Sequence, residues 1–198
     1  MLFRFILLML LAWLVMAFLP TEQEKATFAG GCFWCMEPQF KDIDGVKAVM
    51  VGYTGGRIPN PTYAQVSAGD SGHVEAIEVT YDPAQVTYEA LLDIFWQNID
   101  PFDAEGQFCD KGSQYRAAIF YHNEKQRALA EASKAQVAEK LGADVMTLIR
   151  PAQIFYAAED YHQEFYIKNR KRYENYKKGC RREERLHEVW KERDVDAQ

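Results

Sequence analysis

Cysteine and histidine are scarce in this 198-residue chain, and their spacing excludes two kinds of site. The chain has four histidines and four cysteines, the latter being Cys32, Cys35, Cys109 and Cys180. It lacks a second Cys-x-x-Cys pair and a pair of histidines at ligand spacing, so a structural zinc site is not expected. Four scattered cysteines are also too few for a disulfide-rich miniprotein. The cysteines therefore either take part in thiol chemistry or have no redox role.

A surplus of positive charge is missing as well. The chain has 23 Lys and Arg against 29 Asp and Glu, a formal net charge of -6 at pH 7. Its late basic run, KNRKRYENYKKGCRREER, is mixed with acidic residues and favours a solvated helical surface over a nucleic-acid patch. Hydrophobic residues make up 48% of the chain, enough for a packed core. We therefore expect one main folded domain, as a monomer that binds no nucleic acid.

One long apolar run stands at the N-terminus. Residues Phe5 to Leu19, FILLMLLAWLVMAFL, contain no polar side chain, with Arg4 before the run and acidic residues soon after it. This length suits a signal-peptide core and is slightly short for a membrane-spanning helix. By the positive-inside rule, this charge asymmetry predicts that the chain after the run lies outside the cytoplasm. We predict that 1–20 is a signal peptide or uncleaved membrane anchor, an apolar helix that leaves the protein exported, periplasmic or membrane-attached.

Strands and helices alternate loosely along the rest of the chain. Hydrophobic alternation predicts strands at 27–31, 46–53, 73–82 and 115–121. Thr87 and Asn123 are predicted to cap helices, Gly142 to end the second of them, and another helix is predicted to begin near Glu159. This order predicts an α+β fold, a two-layer sandwich around one sheet.

Cys32 is a candidate nucleophile because of its neighbours. It follows Gly30 and Gly31 at a predicted strand-to-helix junction. The free N–H groups and the helix dipole at such a junction lower the pKa of a thiol and favour the thiolate. Phe33 and Trp34 beside it are either ordinary core residues or the wall of a pocket.

Glu75 is a candidate acid because of strand periodicity. In HVEAIEVTY it shares one strand face with the apolar residues Ile77, Val79 and Tyr81. A carboxyl on a buried face is desolvated, so its pKa rises and it can stay protonated near neutrality. The alternative is that Glu75 lies at the open end of the strand and meets solvent.

Three further polar residues stand in predicted loops, namely Tyr63 in NPTY and Asp110 and Tyr115 in CDKGSQYR. Each alone is an ordinary turn or packing residue. Together with a nucleophilic thiol, a protonated carboxyl and an aromatic wall they form a coherent set. That set suits attack on a small electrophile with an apolar substituent and an oxygen that needs a proton.

Four segments in this order resemble the A-type peptide methionine sulfoxide reductases. They are GCFWCMEP, NPTYAQVSAGDSGHVEAIEVTYDP, FCDKGSQYRAAIFY and AEDYHQEF, and the resemblance runs from about Thr27 to Phe165. It implies a ferredoxin-like core with a mixed sheet and a catalytic domain over 21–170. It also implies thiol-dependent reduction of methionine S-sulfoxide, in proteins or as the free amino acid, with no bound cofactor or metal. Such an activity repairs oxidised proteins.

The resemblance also implies a role for each candidate. Cys32 would attack the sulfoxide sulfur, Phe33 and Trp34 would hold the substrate methyl group, and Glu75 would protonate the oxygen. Tyr63 and Tyr115 would bind that oxygen, and Asp110 would help order the site.

A second thiol must then resolve the sulfenic acid left on Cys32, and an external dithiol such as thioredoxin must reduce the resulting disulfide. Cys180, in a C-terminal tail at 171–198, is the expected resolving cysteine, with Cys35 and Cys109 as alternatives. Relatives often have a cysteine where this chain has Ser67. Two other functions stay open: a thioredoxin-like oxidoreductase that uses Cys32 and Cys35, and a module that binds oxidised methionine without turnover.

Overall fold

The structure is a computed structural model that describes residues 22–191. The strands are β1 (Glu24–Ala29), β2 (Val46–Thr54), β3 (Val74–Tyr81), β4 (Gly106–Gln107), β5 (Asp110–Lys111), β6 (Ala118–Tyr121), β7 (Leu148–Pro151) and β8 (Tyr156–Ala157). The helices are α1 (Phe33–Lys41), α2 (Tyr63–Ser67), α3 (Tyr88–Gln97), α4 (Glu124–Leu141), α5 (Phe165–Lys168), α6 (Arg170–Gly179) and α7 (Arg182–Trp190), with a short 3-10 helix at Ser113–Tyr115. The predicted apolar helix at 1–20 lies outside the described residues. Between residues 22 and 191, no helix combines the length and the apolar character needed to cross a membrane.

The main sheet has six strands in the order β7-β6-β1-β3-β2-β8. Strands β6 and β7 pair in parallel, and the other neighbours pair antiparallel. The sheet is therefore mixed, and it is accompanied by helices, as the α+β prediction requires. Strands β4 and β5 form a separate small hairpin.

Helices α1, α3 and α4 share one hydrophobic core with the sheet. The core is centred on Phe28 of β1, whose ring stacks on Phe40 of α1 at 5.4 Å between centroids and on Phe95 of α3 at 5.2 Å. Burial of such aromatic side chains supplies most of the packing energy of a small domain. The core thereby fixes where β1 ends and α1 begins, which is the position of Cys32.

The connection between β1 and α1 needs glycine at Gly31. Its φ is +80°, a left-handed conformation that favours glycine, and a Cβ there would lie 2.5 Å from Cβ of Gln107. After this turn, α1 begins at Phe33, directly after Cys32.

The predicted helix caps are confirmed at Thr87 and Asn123. The Thr87 hydroxyl accepts a hydrogen bond from the Ala90 amide at 3.2 Å, and the Asn123 side chain accepts one from the Gln126 amide at 2.9 Å. Gly142 ends α4 in the left-handed conformation at φ +64°. These signals are local, so the sequence contains all the information they need.

The prediction of a helix beginning near Glu159 is wrong. Turns occupy the segment up to Glu164, whose φ is +55°, and α5 begins only at Phe165. The side chains of Glu159 and Gln163 hydrogen bond residues of other elements, and Glu37 of α1 accepts the Glu164 amide, as described below. These bonds hold the segment in place of the bonds that a helix would make.

Residues 170–190 form α6 and α7. Arg185 pairs with Asp100 at 2.7 Å, and the Trp190 indole donates to the Ile99 carbonyl at 3.0 Å. Both contacts attach these helices to the loop after α3. The helices also bring Tyr176 and Arg182 towards the N-terminus of α1.

Candidate active site

Cys32 precedes the first residue of α1 and is only 6% exposed. Burial raises the pKa of the thiol well above its usual value, and a hydrogen bond with Cys35 and the negative charge of Glu75 raise it further. The expectation that the helix N-terminus would lower this pKa is wrong for the free enzyme. Desolvation of a buried thiolate outweighs the favourable field of the helix. The raised pKa favours the neutral thiol form of Cys32 in the free protein.

Glu75 lies on the buried face of β3, together with Ile77, Val79 and Tyr81, as the strand period predicted. Its side chain is 2% exposed, which excludes the solvent-exposed alternative. Its Oε2 accepts a hydrogen bond from the Phe33 amide at 3.0 Å. Burial raises the pKa of Glu75 to about 8, although the Phe33 amide opposes that rise. Glu75 is therefore mostly protonated at neutral pH and can donate a proton.

The hydroxyls of Tyr63 and Tyr115 lie close to each other and to Glu75. The two side chains hydrogen bond each other. Burial raises the pKa of both, and the nearby charge of Glu75 raises each further. Both hydroxyls therefore stay protonated and can donate hydrogen bonds to an oxygen held beside Glu75.

Asp110 is connected to Cys32 through Tyr176, a residue that sequence reasoning missed. The Tyr176 hydroxyl, on α6, donates to Oδ2 of Asp110 and also hydrogen bonds Cys32. The hydrogen bond from Tyr176 lowers the pKa of Cys32, although burial dominates. Burial raises the pKa of Asp110, which the same tyrosine opposes. Asp110 therefore positions a tyrosine that contacts the Cys32 thiol.

The two predicted wall residues have different surroundings. Phe33 is 1% exposed and packs against Tyr53 and His162, at 5.9 and 5.1 Å between centroids. Trp34 is partly exposed and stacks face to face on Phe165, with centroids 3.7 Å apart. Phe33 is thus part of the core, and Trp34 is the aromatic that borders solvent. Their role in holding a methyl group stays a prediction.

His162 holds the Trp34 indole in place. Its Nδ1 accepts a hydrogen bond from Nε1 of Trp34 at 3.0 Å, across 128 residues of sequence. The ring is 1% exposed, and burial lowers its pKa, so it is the neutral form that accepts this bond. Sequence reasoning missed His162 as an individual residue, although the segment AEDYHQEF that contains it was recognised.

The irregular segment around His162 is attached to the rest of the fold at three places, two of them through its own side chains. Glu159 accepts hydrogen bonds from the Tyr53 hydroxyl and the Tyr63 amide, both at 2.8 Å. Gln163 bonds both backbone groups of Val51, at 3.0 and 2.9 Å. These bonds satisfy polar groups inside the fold and explain why 159–164 is ordered without being helical.

Glu37 makes the third attachment. This buried carboxyl of α1 accepts the amide of Glu164 with both oxygens, at 2.9 and 3.1 Å. Burial raises the pKa of Glu37 to about 7. The helix that follows Cys32 is therefore joined directly to the segment that holds His162.

The cysteines form two pairs. Cys35 is 2% exposed and hydrogen bonds Cys32, and this bond lowers its pKa against the effect of burial. Cys109 and Cys180 are joined in a disulfide. The predicted resolving cysteine, Cys180, is thus bonded to one of its two alternatives, Cys109, while the other alternative, Cys35, contacts Cys32. Ser67 lies in α2, where its hydroxyl donates to the Ala64 carbonyl at 3.2 Å.

Asp110 and the Cys109–Cys180 sulfurs lie within 4.8 Å of one another, the spacing of a small metal site. The two sulfurs are bonded to each other here and so do not provide thiolate ligands.

Comparison with known proteins agrees with this geometry. A family model described as peptide methionine sulfoxide reductase matches residues 24–194. The peptide methionine sulfoxide reductase MsrA of Bacillus subtilis is 52% identical over 171 residues, which is 85% of this chain and 97% of the relative. The MsrA of Listeria innocua is 50% identical over 170 residues, with 85% and 96% covered.

Solved structures give the same result. Reduced Mxr1 of Saccharomyces cerevisiae matches with a TM-score of 0.72 and 32% identity, over 77% of this chain and 88% of that one. Methionine sulfoxide reductase A of Corynebacterium diphtheriae matches with a TM-score of 0.67 and 33% identity, over 77% of each chain. A structure of Mxr1 in complex with Trx2 shares the fold, with a TM-score of 0.53 and 24% identity over 74% of this chain and 86% of that one.

Proposed function

The chain belongs to the peptide methionine sulfoxide reductase family, and we propose that it performs the family reaction with Cys32 as nucleophile and Glu75 as acid. It is an oxidoreductase that reduces methionine sulfoxide by thiol chemistry. The proposed substrate is the S epimer, in oxidised proteins or as the free amino acid, so its physiological task is protein repair.

The observation that carries this proposal is the placement of a thiol and a protonated carboxyl at one helix N-terminus. Cys32 directly precedes α1, and Glu75 accepts the amide of Phe33, the first residue of that helix. Both side chains are buried, so water does not compete for the proton or the thiol. A nucleophile and an acid so close together suit a reaction in which an oxygen must be protonated as its bond to sulfur breaks.

In the proposed mechanism each of the site residues has one role. The Cys32 sulfur attacks the sulfoxide sulfur while Glu75 gives its proton to the oxygen. The hydroxyls of Tyr63 and Tyr115 bind that oxygen, and Tyr176, which is held by Asp110, stabilises the Cys32 thiolate as it forms. The S–O bond of the sulfoxide then breaks and the hydroxyl passes to the Cys32 sulfur as the bond between the two sulfurs breaks, so that Cys32 becomes a sulfenic acid and methionine leaves. The proton lost by the Cys32 thiol returns to Glu75, which restores the acid. The methyl group would contact Trp34, with Phe33 supporting it from the core.

An intramolecular disulfide and an external dithiol complete the cycle. A second cysteine condenses with the sulfenic acid and releases water, and the dithiol then restores the thiols. Thioredoxin or a similar protein is the proposed reductant, in keeping with the complex that Mxr1 forms with Trx2. Within this proposal, 21–170 is the catalytic domain. The strand order β6-β1-β3-β2, with α1 and α3 as crossovers, supports a ferredoxin-like core for it.

Epimer selectivity tests the proposal. The full chain, with dithiothreitol as reductant, is offered the S and R epimers of N-acetylmethionine sulfoxide separately, and consumption is followed by chiral chromatography. We expect loss of the S epimer alone, because Glu75, Tyr63 and Tyr115 fix the oxygen on one side of the aromatic wall. A methyl pocket alone discriminates by only about 1–3 kcal/mol per methylene, so selectivity depends on fixing both groups.

Consumption of neither epimer would contradict the proposal. The contact between Cys32 and Cys35 would then favour a thiol–disulfide oxidoreductase. The same preparation would in that case reduce the disulfide of an unrelated protein, which serves as the second assay.

We further propose that the enzyme acts outside the cytoplasm, exported or attached to the membrane by 1–20. The apolar run from Phe5 to Leu19 and the preceding Arg4 support this proposal. A reporter that is active only in the periplasm, fused after Gln198, should be active, and a silent fusion would contradict the proposed topology.

A further inference from the structure

One arginine of the basic run lies beside Trp34, the aromatic that borders solvent. The guanidinium carbon of Arg172 is 5.8 Å from the ring centre of Trp34 and 5.8 Å from that of Phe165. Because these two rings are stacked with their centres 3.7 Å apart, a point at equal distance from both lies beside the stack. Arg172 is exposed, so its charged group lies at the rim of the aromatic wall.

The charge of Arg172 is not neutralised within the part of the chain that the structure describes. Two residues earlier, Arg170 pairs with Glu174 at 2.8 Å. Arg172, in contrast, makes no ion pair or hydrogen bond with any residue of 22–191. A guanidinium has five N–H donors in a planar fork that fits a carboxylate with two hydrogen bonds. These donors are therefore available to a ligand.

Helix α6 connects Arg172 with the proposed nucleophile. Arg172 and Tyr176 are four residues apart, so they lie on one face of the helix, about 6 Å apart along its axis. The Tyr176 hydroxyl hydrogen bonds Cys32, and the Tyr176 ring meets Trp34 edge to face, with centroids 5.9 Å apart. Arg172 is thus one helical turn from a residue that contacts Cys32.

This position suits the backbone of the proposed substrate. Two methylene groups separate the sulfur of methionine sulfoxide from its α-carbon. Because Cys32 is buried and Trp34 borders solvent, a substrate bound to both residues has its backbone beside Trp34 at the opening of the site. Of the described side chains that contact the Trp34 ring, Arg172 alone carries a charge, since the His162 ring is neutral.

The other charges of the protein oppose an anionic substrate. The chain has a formal net charge of -6, and the Asp110 carboxyl is hydrogen bonded to Tyr176 next to the site. A cation at the opening offsets this repulsion, and a bidentate pair between a guanidinium and a carboxylate is among the stronger hydrogen-bonded contacts.

We propose that Arg172 forms a carboxylate subsite of the active site, which binds a carboxylate that the substrate carries close to its sulfoxide. This inference rests on the proposed function and adds a class of preferred substrate to it. The carboxylate has two sources: the α-carboxylate of the free amino acid, and the side chain of an Asp or Glu next to an oxidised methionine in a protein. Both present the same group to the guanidinium.

Substrates that differ only in charge test the subsite. The full chain, with dithiothreitol as reductant, is given the S epimers of N-acetylmethionine sulfoxide and of its neutral N-methylamide. In Arg172→Gln the KM for the carboxylate substrate should rise roughly tenfold, because binding is lost equally in the ground state and the transition state. The kcat for both substrates and the KM for the amide should stay within about a factor of two, which also shows that the variant is folded.

A second pair of substrates separates the two sources of the carboxylate. These are capped peptides that carry Asp or Asn beside the oxidised methionine. A rise in KM confined to the N-acetyl amino acid would assign the subsite to the α-carboxylate. A rise confined to the Asp peptide would assign it to an acidic neighbour in a protein. A rise for both would support the subsite for both sources.

Arg170→Gln is the matched control. It removes the same charge from the same helix two residues away, so it changes the long-range field of the protein in the same way. Its KM for every substrate should stay within about a factor of two of the wild type. An equal rise in Arg170→Gln, or an Arg172→Gln enzyme with unchanged KM for both carboxylate substrates, would overturn the subsite.

Ionic strength gives a measurement that needs no variant. The KM of the wild type for a carboxylate substrate should rise from low salt to about 1 M salt, where the Debye length is about 3 Å, and the KM for the amide should not. Equal salt dependence of the acid and the amide would contradict the subsite. Consumption of neither by the wild type would overturn the proposed function itself.

Discussion

Replacing Cys32 with serine should abolish the reduction of methionine S-sulfoxide, with a fall in kcat/KM of roughly four orders of magnitude or more. A serine hydroxyl is a far weaker nucleophile than a thiolate, and it cannot form a sulfenic acid. In the proposed mechanism Cys32 lies beside the acid, because the amide that binds Glu75 belongs to Phe33, the residue directly after Cys32. Methionine formation with dithiothreitol, followed by chromatography, gives the measurement.

Cys35→Ser is the matched control for Cys32→Ser. It changes the same atom of the neighbouring buried cysteine, three residues along the chain. A single turnover without reductant should still occur in Cys35→Ser, with a sulfenic acid that dimedone traps on Cys32, and should be absent in Cys32→Ser. Activity of Cys32→Ser within about tenfold of the wild type would mean that another thiol is the nucleophile.

Replacing Glu75 with glutamine should lower kcat/KM by roughly 100- to 10,000-fold, the usual contribution of general acid catalysis. Glutamine keeps the size of the side chain and can still accept the Phe33 amide, but it has no acidic proton. Glu78→Gln is the matched control, because Glu78 lies on the same strand with its side chain on the other face, paired with Lys25 at 2.7 Å. That variant should stay within about threefold of the wild type.

The pH profile separates the acid role of Glu75 from a structural one. In the proposed mechanism the protonated form of Glu75 is the active one, and burial raises the pKa of Glu75 to about 8. Activity of the wild type should therefore fall as the pH rises through about 8. Glu75→Gln should lack this fall, because it has no proton to lose there. A variant with reduced activity and an unchanged alkaline limb would contradict the proposed role.

Local sequence patterns predicted the parts of the site that depend on one element. The alternation in β3 placed Glu75 on the buried face because successive strand residues point to opposite sides, and no other part of the chain is needed for that conclusion. The caps at Thr87 and Asn123 depend on residues only three positions away. For the same reason the bounds of β2 and β3 are close to those predicted.

The missed residues act across long stretches of the chain. His162 bonds Trp34 across 128 residues, and Arg182 contacts Met36 across 146. Tyr176 comes from a charged helix with no fully buried residue, so its pattern resembles that of an ordinary surface helix. Periodicity reports which face of an element is buried, and it does not report which distant side chain covers that face.

The prediction of a lowered pKa for the Cys32 thiol was wrong for the same physical reason. The helix N-terminus, which favours the thiolate, can be read from neighbouring residues. The burial that opposes it is produced by the whole fold around the thiol. Where a local field and desolvation compete at a buried group, the sequence reveals only the local field.

The neutral, enclosed state of Cys32 has a consequence for the durability of the enzyme. A methionine sulfoxide reductase works where peroxides are present, and peroxides attack thiolates and drive exposed ones on to sulfinic and sulfonic acids, of which the sulfonic acid is not repaired. Susceptibility to this damage follows thiolate character and exposure. Because Cys32 is 6% exposed and its pKa is raised, the resting enzyme offers peroxide almost no thiolate. If Cys32 is the nucleophile, as proposed, its thiol is thereby kept for the sulfoxide and protected from the peroxide that oxidised the methionine.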